Sequence, residues 1–370
     1  MSRSAESAAV ESVRRESVAP VQPYAALALQ VRCRAVNECR SADESRARMR
    51  ETIERYDGLI RGSKRFVETY SGDTVRLVVL PEYCLSGFPL GESAVEWQAR
   101  ACLQPDGPEY RLMGQVARDN DTWLSGNAYE IDGHFPELYF QTSFIIDPAG
   151  ECRLRYRRLI SMYSPTPHDV LDRYLDIYGE QSLFPVVDTE LGRLACVASE
   201  EVLFPEICRA LALNGAEVIC HSSSEMGSPR VTPKNTAKRA RAFENVAYVV
   251  SANSGGISGI RFPAESTDGH SQVVDFRGQV LAEAGPGNSM CAFAELDIEA
   301  LRRRRRKPSM SNMLARQRLE LFRNVYTAPG IYPPNTLLGG DGDAVPGRAF
   351  YRETLREAVR RLRDRDVQPV

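Results

Sequence analysis

Ser199 stands where a short apolar run ends. Leu194 to Ala198 has strand length and strand composition, and it breaks at Ser199-Glu200-Glu201. Phe204-Pro205-Glu206 then opens a stretch carrying Ile207, Ala210, Leu211 and Leu213 at helical spacing, closed by Asn214-Gly215. A hydroxyl at the C-terminal end of a strand, just ahead of a helix, sits where backbone N–H groups converge, which suits a nucleophile. Glu82 has a comparable setting, following the apolar run Leu77 to Leu80 in LVVLPEY. A carboxylate there is expected to be buried, either satisfied by backbone N–H groups or acting as an acid, base or charge partner. Serine sets a demand of its own. Its hydroxyl is far less acidic than a thiol, whose pKa is ~8.5, so it needs a well-oriented base. Only four histidines exist, His134, His168, His221 and His270. His221 ends the strand that follows Ser199, and it reads as a packing or hydrogen-bonding residue ahead of a catalytic one. Cys84 and Cys220 read as buried thiols, and Cys196, three residues before Ser199, points to the other side of its strand.

These residues need strands and helices in alternation. Tyr24 to Cys33 reads as a strand, and Ser41 can cap a long helix running to about Tyr70. Leu77 to Leu80 is a strand, and Tyr110 to Asp119 a helix. Thr122 to Glu130 and Leu138 to Ile146 are strands, and the turn Asp147-Pro148-Ala149-Gly150 leads to a hairpin partner over Leu154 to Ile160. Residues 161–180, polar and broken by two prolines, are expected as a loop over the site. Strand Glu217 to Cys220, helix Pro233 to Glu244, and strands Ala247 to Asn253, Val273 to Leu281 and Ala292 to Leu296 complete the pattern. Such alternation fits an α/β layered domain without internal repeats.

The stretch GRLACVASEEVLFPE resembles the nucleophile region of the nitrilase superfamily of carbon–nitrogen hydrolases, whose pattern runs G-(apolar)-C-(aromatic)-(D/E)-x-x-F-P-E. Aligned on Phe204-Pro205-Glu206, Ser199 occupies the position of the family's nucleophilic cysteine. Arg155-Tyr156-Arg157-Arg158 resembles the family's Y-R-K, with Arg158 at the lysine, and Glu82 matches the family's glutamate. RAFEN at 241–245 with YVVSAN, Gly269-His270-Ser271 and Asp275-Phe276-Arg277-Gly278 resemble further family positions. The resemblance implies an α/β, four-layer α-β-β-α sandwich over residues 24–307, without metal or cofactor, and usually a homo-oligomer. It implies Glu82, Arg158 and Ser199 as the catalytic set, with Tyr83, Glu200 and His221 as substrate contacts. Arginine keeps the positive charge of lysine but cannot deliver a proton. In the aliphatic amidase branch a second glutamate lies eight residues past the lysine. That count reaches Thr166 here, with Asp169 close by. Two readings stay open. One is an enzyme acting on a carbon–nitrogen bond of a small amide, nitrile or carbamoyl compound with a Glu–Arg–Ser site. The other is a catalytically silent member that binds a small molecule or a partner protein.

The remainder of the chain sets bounds. Its 370 residues carry a formal net charge of −2, which argues against nucleic acid as a partner. Arg302 to Lys307 is a basic run without interleaved aromatics and reads as a solvated helix end. No run approaches the ~20 apolar residues of a membrane span. Nine cysteines lack CxxC pairs, so reduced thiols and a cytoplasmic location are expected. Residues 1–23, rich in Ser, Ala, Glu and Arg, read as a disordered leader. Residues 308–370 read as a C-terminal extension, with a Pro/Gly-rich segment and a charged helix from about Arg348 to Arg365, either wrapping a partner subunit or solvated.

Overall fold

Alternation of apolar side chains along β1 (Tyr24–Gln30) builds two cores at once. Ala26 and Ala28 face one apolar cluster, and Ala25, Leu27 and Leu29 face another. The computed structural model describes residues 20–225, 232–267, 269–287, 290–327, 330–338 and 347–364, so residues 1–19 of the expected leader lie outside them.

After β1 and the two-residue β2 (Cys33–Arg34), Ser41 caps α1 (Ala42–Tyr70), its hydroxyl accepting from the Glu44 N–H at 3.2 Å. Met49, Ile53, Tyr56, Ile60 and Val67 form the buried stripe of that helix. β3 (Val75–Val79) follows, then α2 (Ala94–Ala101) and α3 (Pro108–Asp119). The helix α2 was not expected from the sequence. A Ser93–Glu96 capping box starts it, and its fully buried Trp97 holds it down. A meander of β4 (Trp123–Ile131), β5 (Tyr139–Ile146) and β6 (Cys152–Arg157) leads to α4 (Leu171–Tyr178) and β7 (Val187–Thr189). The central unit is β8 (Gly192–Ala198), α5 (Pro205–Leu213), β9 (Val218–Ser223), α6 (Pro233–Asn245) and β10 (Tyr248–Asn253). The short β11 (Ile257–Ser258) pairs with β2, and β12 (Gln272–Val274), β13 (Val280–Glu283) and β14 (Met290–Leu296) close the sheets. The chain then runs through α7 (Ile298–Arg306) and α8 (Arg323–Tyr326) to α9 (Arg348–Asp364).

Two six-stranded sheets result, ordered β14-β1-β3-β4-β5-β6 and β13-β12-β10-β9-β8-β7. They face each other, with β1 against β10 and β5 against β8. Side chains of α1, α2 and α3 pack on the outer face of the first sheet, and those of α5 and α6 join the apolar cluster of the second. This is the four-layer α-β-β-α arrangement.

Two expected elements differ. Of residues 161–180, expected as an irregular loop, only 161–166 lack regular structure before the chain turns helical. A single 3-10 turn over Pro167–Val170 runs into α4, because Val170 and Tyr174 bury themselves on Phe135, Leu138 and Phe140. The strand expected over Val273 to Leu281 splits into β12 and β13, because the Asp275 carboxylate accepts from the N–H groups of Arg277 and Gln279 and so closes a turn. Described parts of the extension pack back on the same chain. Leu337 N–H donates to the Asp169 carbonyl at 2.9 Å, and Tyr351 and Ala358 of α9 are buried.

Candidate active site

Parallel strands deliver their C-terminal ends to one place, where the two sheets also meet. Glu82 follows β3, Arg158 follows β6 and Ser199 follows β8. The Glu82 N–H donates to the Ser223 carbonyl at 3.2 Å, and the Ser222 hydroxyl donates to the Leu80 carbonyl at 2.8 Å, so the ends of β3 and β9 are tied across the sandwich.

Glu82 is fully buried. Its Oε1 accepts from Gln141 Nε2 at 2.8 Å and from Arg158 Nη1 at 3.2 Å, and its buried Oε2 makes no hydrogen bond among the described residues. Arg158 is also buried, with every nitrogen engaged. Nε donates to the Ile160 carbonyl at 2.7 Å, Nη1 also to Gln141 Oε1 at 2.7 Å, and Nη2 to Glu200. Burial alone would lower the guanidinium pKa, but Glu82 and Glu200 hold it above its ordinary value. Tyr83 lies beside the cluster, its ring stacked with Tyr129 and tilted against Phe88, and burial followed by Glu82 pushes its phenol up.

Ser199 adopts φ +47°, a left-handed conformation that costs a serine on the order of 1–2 kcal/mol. What holds it is visible. His221 Nε2 meets the Ser199 carbonyl at 2.8 Å while Nδ1 meets the Ser251 hydroxyl at 2.9 Å. A carbonyl can only accept, so Nε2 carries the proton and Nδ1 accepts from Ser251. Burial, reinforced by Lys238, drives the His221 pKa well below its ordinary value, so the ring is neutral. The substrate contact expected of His221 has no free nitrogen to make it. The residue is buried and spends both nitrogens on positioning.

Sequence reasoning passed over three side chains here. Glu201 is buried and accepts from Tyr156 OH at 2.8 Å, from the N–H groups of Leu159 at 2.7 Å and Ile160 at 3.1 Å, and from Ala198 N–H at 3.2 Å. It therefore stitches the Arg158 strand end to the Ser199 strand end, and burial pushes its carboxyl up to about 7. Lys234, in the first turn of α6, donates from Nζ to Ser199 Oγ at 3.0 Å and to Ser223 Oγ at 3.4 Å. One turn on, fully buried Lys238 donates to Asn235 Oδ1 at 3.1 Å and pairs with Glu225 at 3.8 Å. Burial lowers the pKa of both lysines, that of Lys238 to about 8. A signal existed. Lys234 and Lys238 fall four apart on the stripe that also carries buried Arg241, Ala242 and Asn245, where a lysine is out of place unless it has work inside.

Asp169 is not part of the cluster. Its carboxylate accepts from the N–H and hydroxyl of Thr166, each at 2.9 Å, and from Thr336 at 2.9 Å, closing the cap of the 3-10 turn. Cys196 lies on the other side of β8 against Ser125, and burial raises its thiol and those of Cys84 and Cys220, the last two to about 12. Such thiols are poor nucleophiles. His270 pairs with Glu283 at 3.0 Å. Among the described residues no group of three His, Cys, Asp or Glu side chains is placed to hold a metal ion.

A buried carboxylate–guanidinium pair and a strained serine at strand ends, with an amine from the first turn of α6 on the serine hydroxyl, thus meet in one cluster. The family model described as Carbon-nitrogen hydrolase matches residues 45–306. The chain belongs to the carbon–nitrogen hydrolase family. Among its relatives, the deaminated glutathione amidase of Yersinia enterocolitica is 29% identical over 233 residues, covering 61% of this chain and 77% of that protein. The nitrilase and fragile histidine triad fusion protein NitFhit of Caenorhabditis elegans is 29% identical over 241 residues, which cover 64% of this chain but only 53% of the fusion protein. Among solved structures, a mutant of the Nesterenkonia AN1 amidase from the nitrilase superfamily superposes with a TM-score of 0.56 at 22% identity, covering 83% of this chain and 97% of that one. That likeness bears on the fold.

Proposed function

We propose that the protein hydrolyses a carbon–nitrogen bond of a small amide, nitrile or carbamoyl compound, with Ser199 where other family members hold a cysteine and Arg158 where they hold a lysine. The observation that carries the reading is Ser199 itself. A serine in a left-handed conformation at a strand end, its carbonyl fixed by His221 and its hydroxyl held against an amine, is built to present that hydroxyl. Glu82 and Arg158, in one hydrogen-bond network with Gln141, form the charged floor beside it. Glu200 is the outward-facing member of the cluster and, with Tyr83, the side chain best placed to touch a substrate. Relatives described as amidases support the substrate class. The nine free cysteines support a reducing compartment such as the cytoplasm.

Turnover of a panel of small amides, nitriles and carbamoyl compounds tests the reading. Wild-type protein is expected to release ammonia or an amine from at least one, and Ser199→Ala to lose at least ~10²-fold of that rate. Turnover undiminished in Ser199→Ala would remove the serine from the chemistry. A second reading, a silent member that binds a small molecule or a partner protein, draws on the full engagement of the Arg158 nitrogens, which leaves the guanidinium little to offer a developing oxyanion. Saturable binding of a panel compound without turnover would favour it.

A further inference from the structure

A serine nucleophile needs a base, and the groups around Ser199 differ in what they can accept. Glu82 directs Oε1 at Gln141 and Arg158, and its Oε2, though without a hydrogen bond among the described residues, is not bonded to the Ser199 hydroxyl. His221 faces the Ser199 carbonyl and Ser251, not the Ser199 hydroxyl. Arg158 stays protonated at any working pH. Among the described residues, the side chain that reaches the hydroxyl is Lys234, with Nζ 3.0 Å from Ser199 Oγ.

We propose that Lys234 is the general base and acid of this site, forming a Ser199–Lys234 pair that takes over the proton traffic that Arg158 cannot carry. The proposal rests on the hydrolase reading above and names the group that drives it. Neutral Lys234 takes the Ser199 hydroxyl proton as Oγ bonds to the substrate carbonyl carbon. The carbon–nitrogen bond then breaks, the Lys234 ammonium returns the proton to the departing amine, and an acyl-serine ester remains. Water, deprotonated by Lys234, attacks the ester, and the proton goes back to Ser199 as the carboxylic acid leaves. The balance is amide plus water to acid plus amine.

The surroundings suit a lysine that must shed its proton. Burial disfavours its ammonium form, and Arg158 acts in the same direction, whereas Glu82, Glu225 and Glu200 oppose. These groups face Lys234 from the ends of β3, β6, β8 and β9, and on α6 itself the neighbouring cation is Lys238. Lys234 is thus poised between three carboxylates, of which Glu82 is fully buried, and two cations, with its amine on the reacting oxygen.

Labelling with a fluorophosphonate tests the pair without requiring an amide substrate, since activated serine displaces fluoride and becomes a stable phosphonate ester. Wild-type protein is expected to label at Ser199, located by peptide mass spectrometry, at a rate that rises with pH. Lys234→Met and Lys234→Arg are each expected to slow labelling by ~10²- to 10⁴-fold, with folding checked by circular dichroism. Lys234→Arg keeps the charge and removes the base, so an undiminished rate in that variant would overturn the proposal. In Lys234→Ala, added primary amines are expected to restore labelling in proportion to their basicity, which a purely structural lysine would not allow. Absence of labelling at Ser199 in the wild type across its stable pH range also overturns the pair. Lysine-dependent labelling with no turnover of any panel compound would leave the pair standing and remove the hydrolase reading. Turnover untouched by Lys234→Arg would do the reverse.

Discussion

His221 and Glu201 show how single residues hold the site while standing outside its chemistry. His221 donates to the Ser199 carbonyl from a fully buried ring, and protonation would bury an uncompensated charge and oblige the Ser251 hydroxyl to turn from donor to acceptor. Its folded pKa is depressed below the ordinary 6.5. Between pH ~6.5 and the depressed folded value the unfolded chain therefore binds a proton that the folded chain does not, and the His221 contribution to stability is lost progressively as pH falls across that window. Glu201 acts in the opposite sense. Its carboxyl titrates at about 7 when folded against 4.5 ordinarily, so its contribution declines as pH rises between those values. A global melting curve would mix the two, and a resonance readout separates them. The ring carbon signals of His221 are expected to stay at their neutral positions from pH 7 down to the onset of unfolding. A titration midpoint at or above 6.5 would contradict the hydrogen-bond assignment.

At the level of elements, the packing of α3 on the β5–β6 turn carries a sharp expectation. Gly114 lies in mid-helix, where alanine would ordinarily stabilise by ~1 kcal/mol. A Cβ there would sit 2.4 Å from the Gly150 carbonyl oxygen, which is backbone and cannot rotate away. Gly114→Ala is therefore expected to destabilise by ~1–3 kcal/mol in spite of the helix propensity it gains. A melting temperature equal to or above that of the wild type would show that the helix can lift from the turn. The elements themselves were largely legible. Ser41 caps α1, β8 ends at Ala198 as its apolar run does, and α5 stops at Asn214-Gly215. Where the reading failed, tertiary contact was the cause. The aromatic cluster of Phe135, Phe140 and Tyr174 turned an irregular-looking segment into α4, and Trp97 made α2 worth forming.

For the molecule as a whole, the outer helical layer poses a question that sedimentation can answer. Leu203, Phe204, Leu213 and Phe243 stay exposed on or beside α5 and α6, and Tyr326 of α8 reaches Glu206 of α5 without covering them. Apolar side chains gathered on one layer suit association with a second copy, as the family resemblance implies. A homo-oligomer is expected by analytical ultracentrifugation at micromolar concentration, and Phe243→Glu is expected to shift it toward monomer. A wild-type sample that sediments only as monomer would count against the pairing. The extension beyond residue 307 has its described parts docked on this chain, through Thr336 on Asp169 and buried Tyr351. No described helix is long and apolar enough to cross a membrane.

Local pattern determined an α/β layered domain, the strand–turn–helix–strand unit around Ser199 and the place of Glu82 after its strand, and the family resemblance added the four layers and singled out Arg158. Apolar periodicity, capping residues and turn residues act over a few positions and can be read in one dimension. Tertiary structure decided which side chains meet at those ends. Lys234 is 35 residues from Ser199 and Glu82 is 59 from Gln141, separations across which no periodicity speaks. Only the facing of the two sheets brings α6 over the end of β8 and closes the network from Glu82 through Arg158 to Glu200. The charge state of His221, Glu201 and the two lysines follows from burial, and burial is a property of the packed chain.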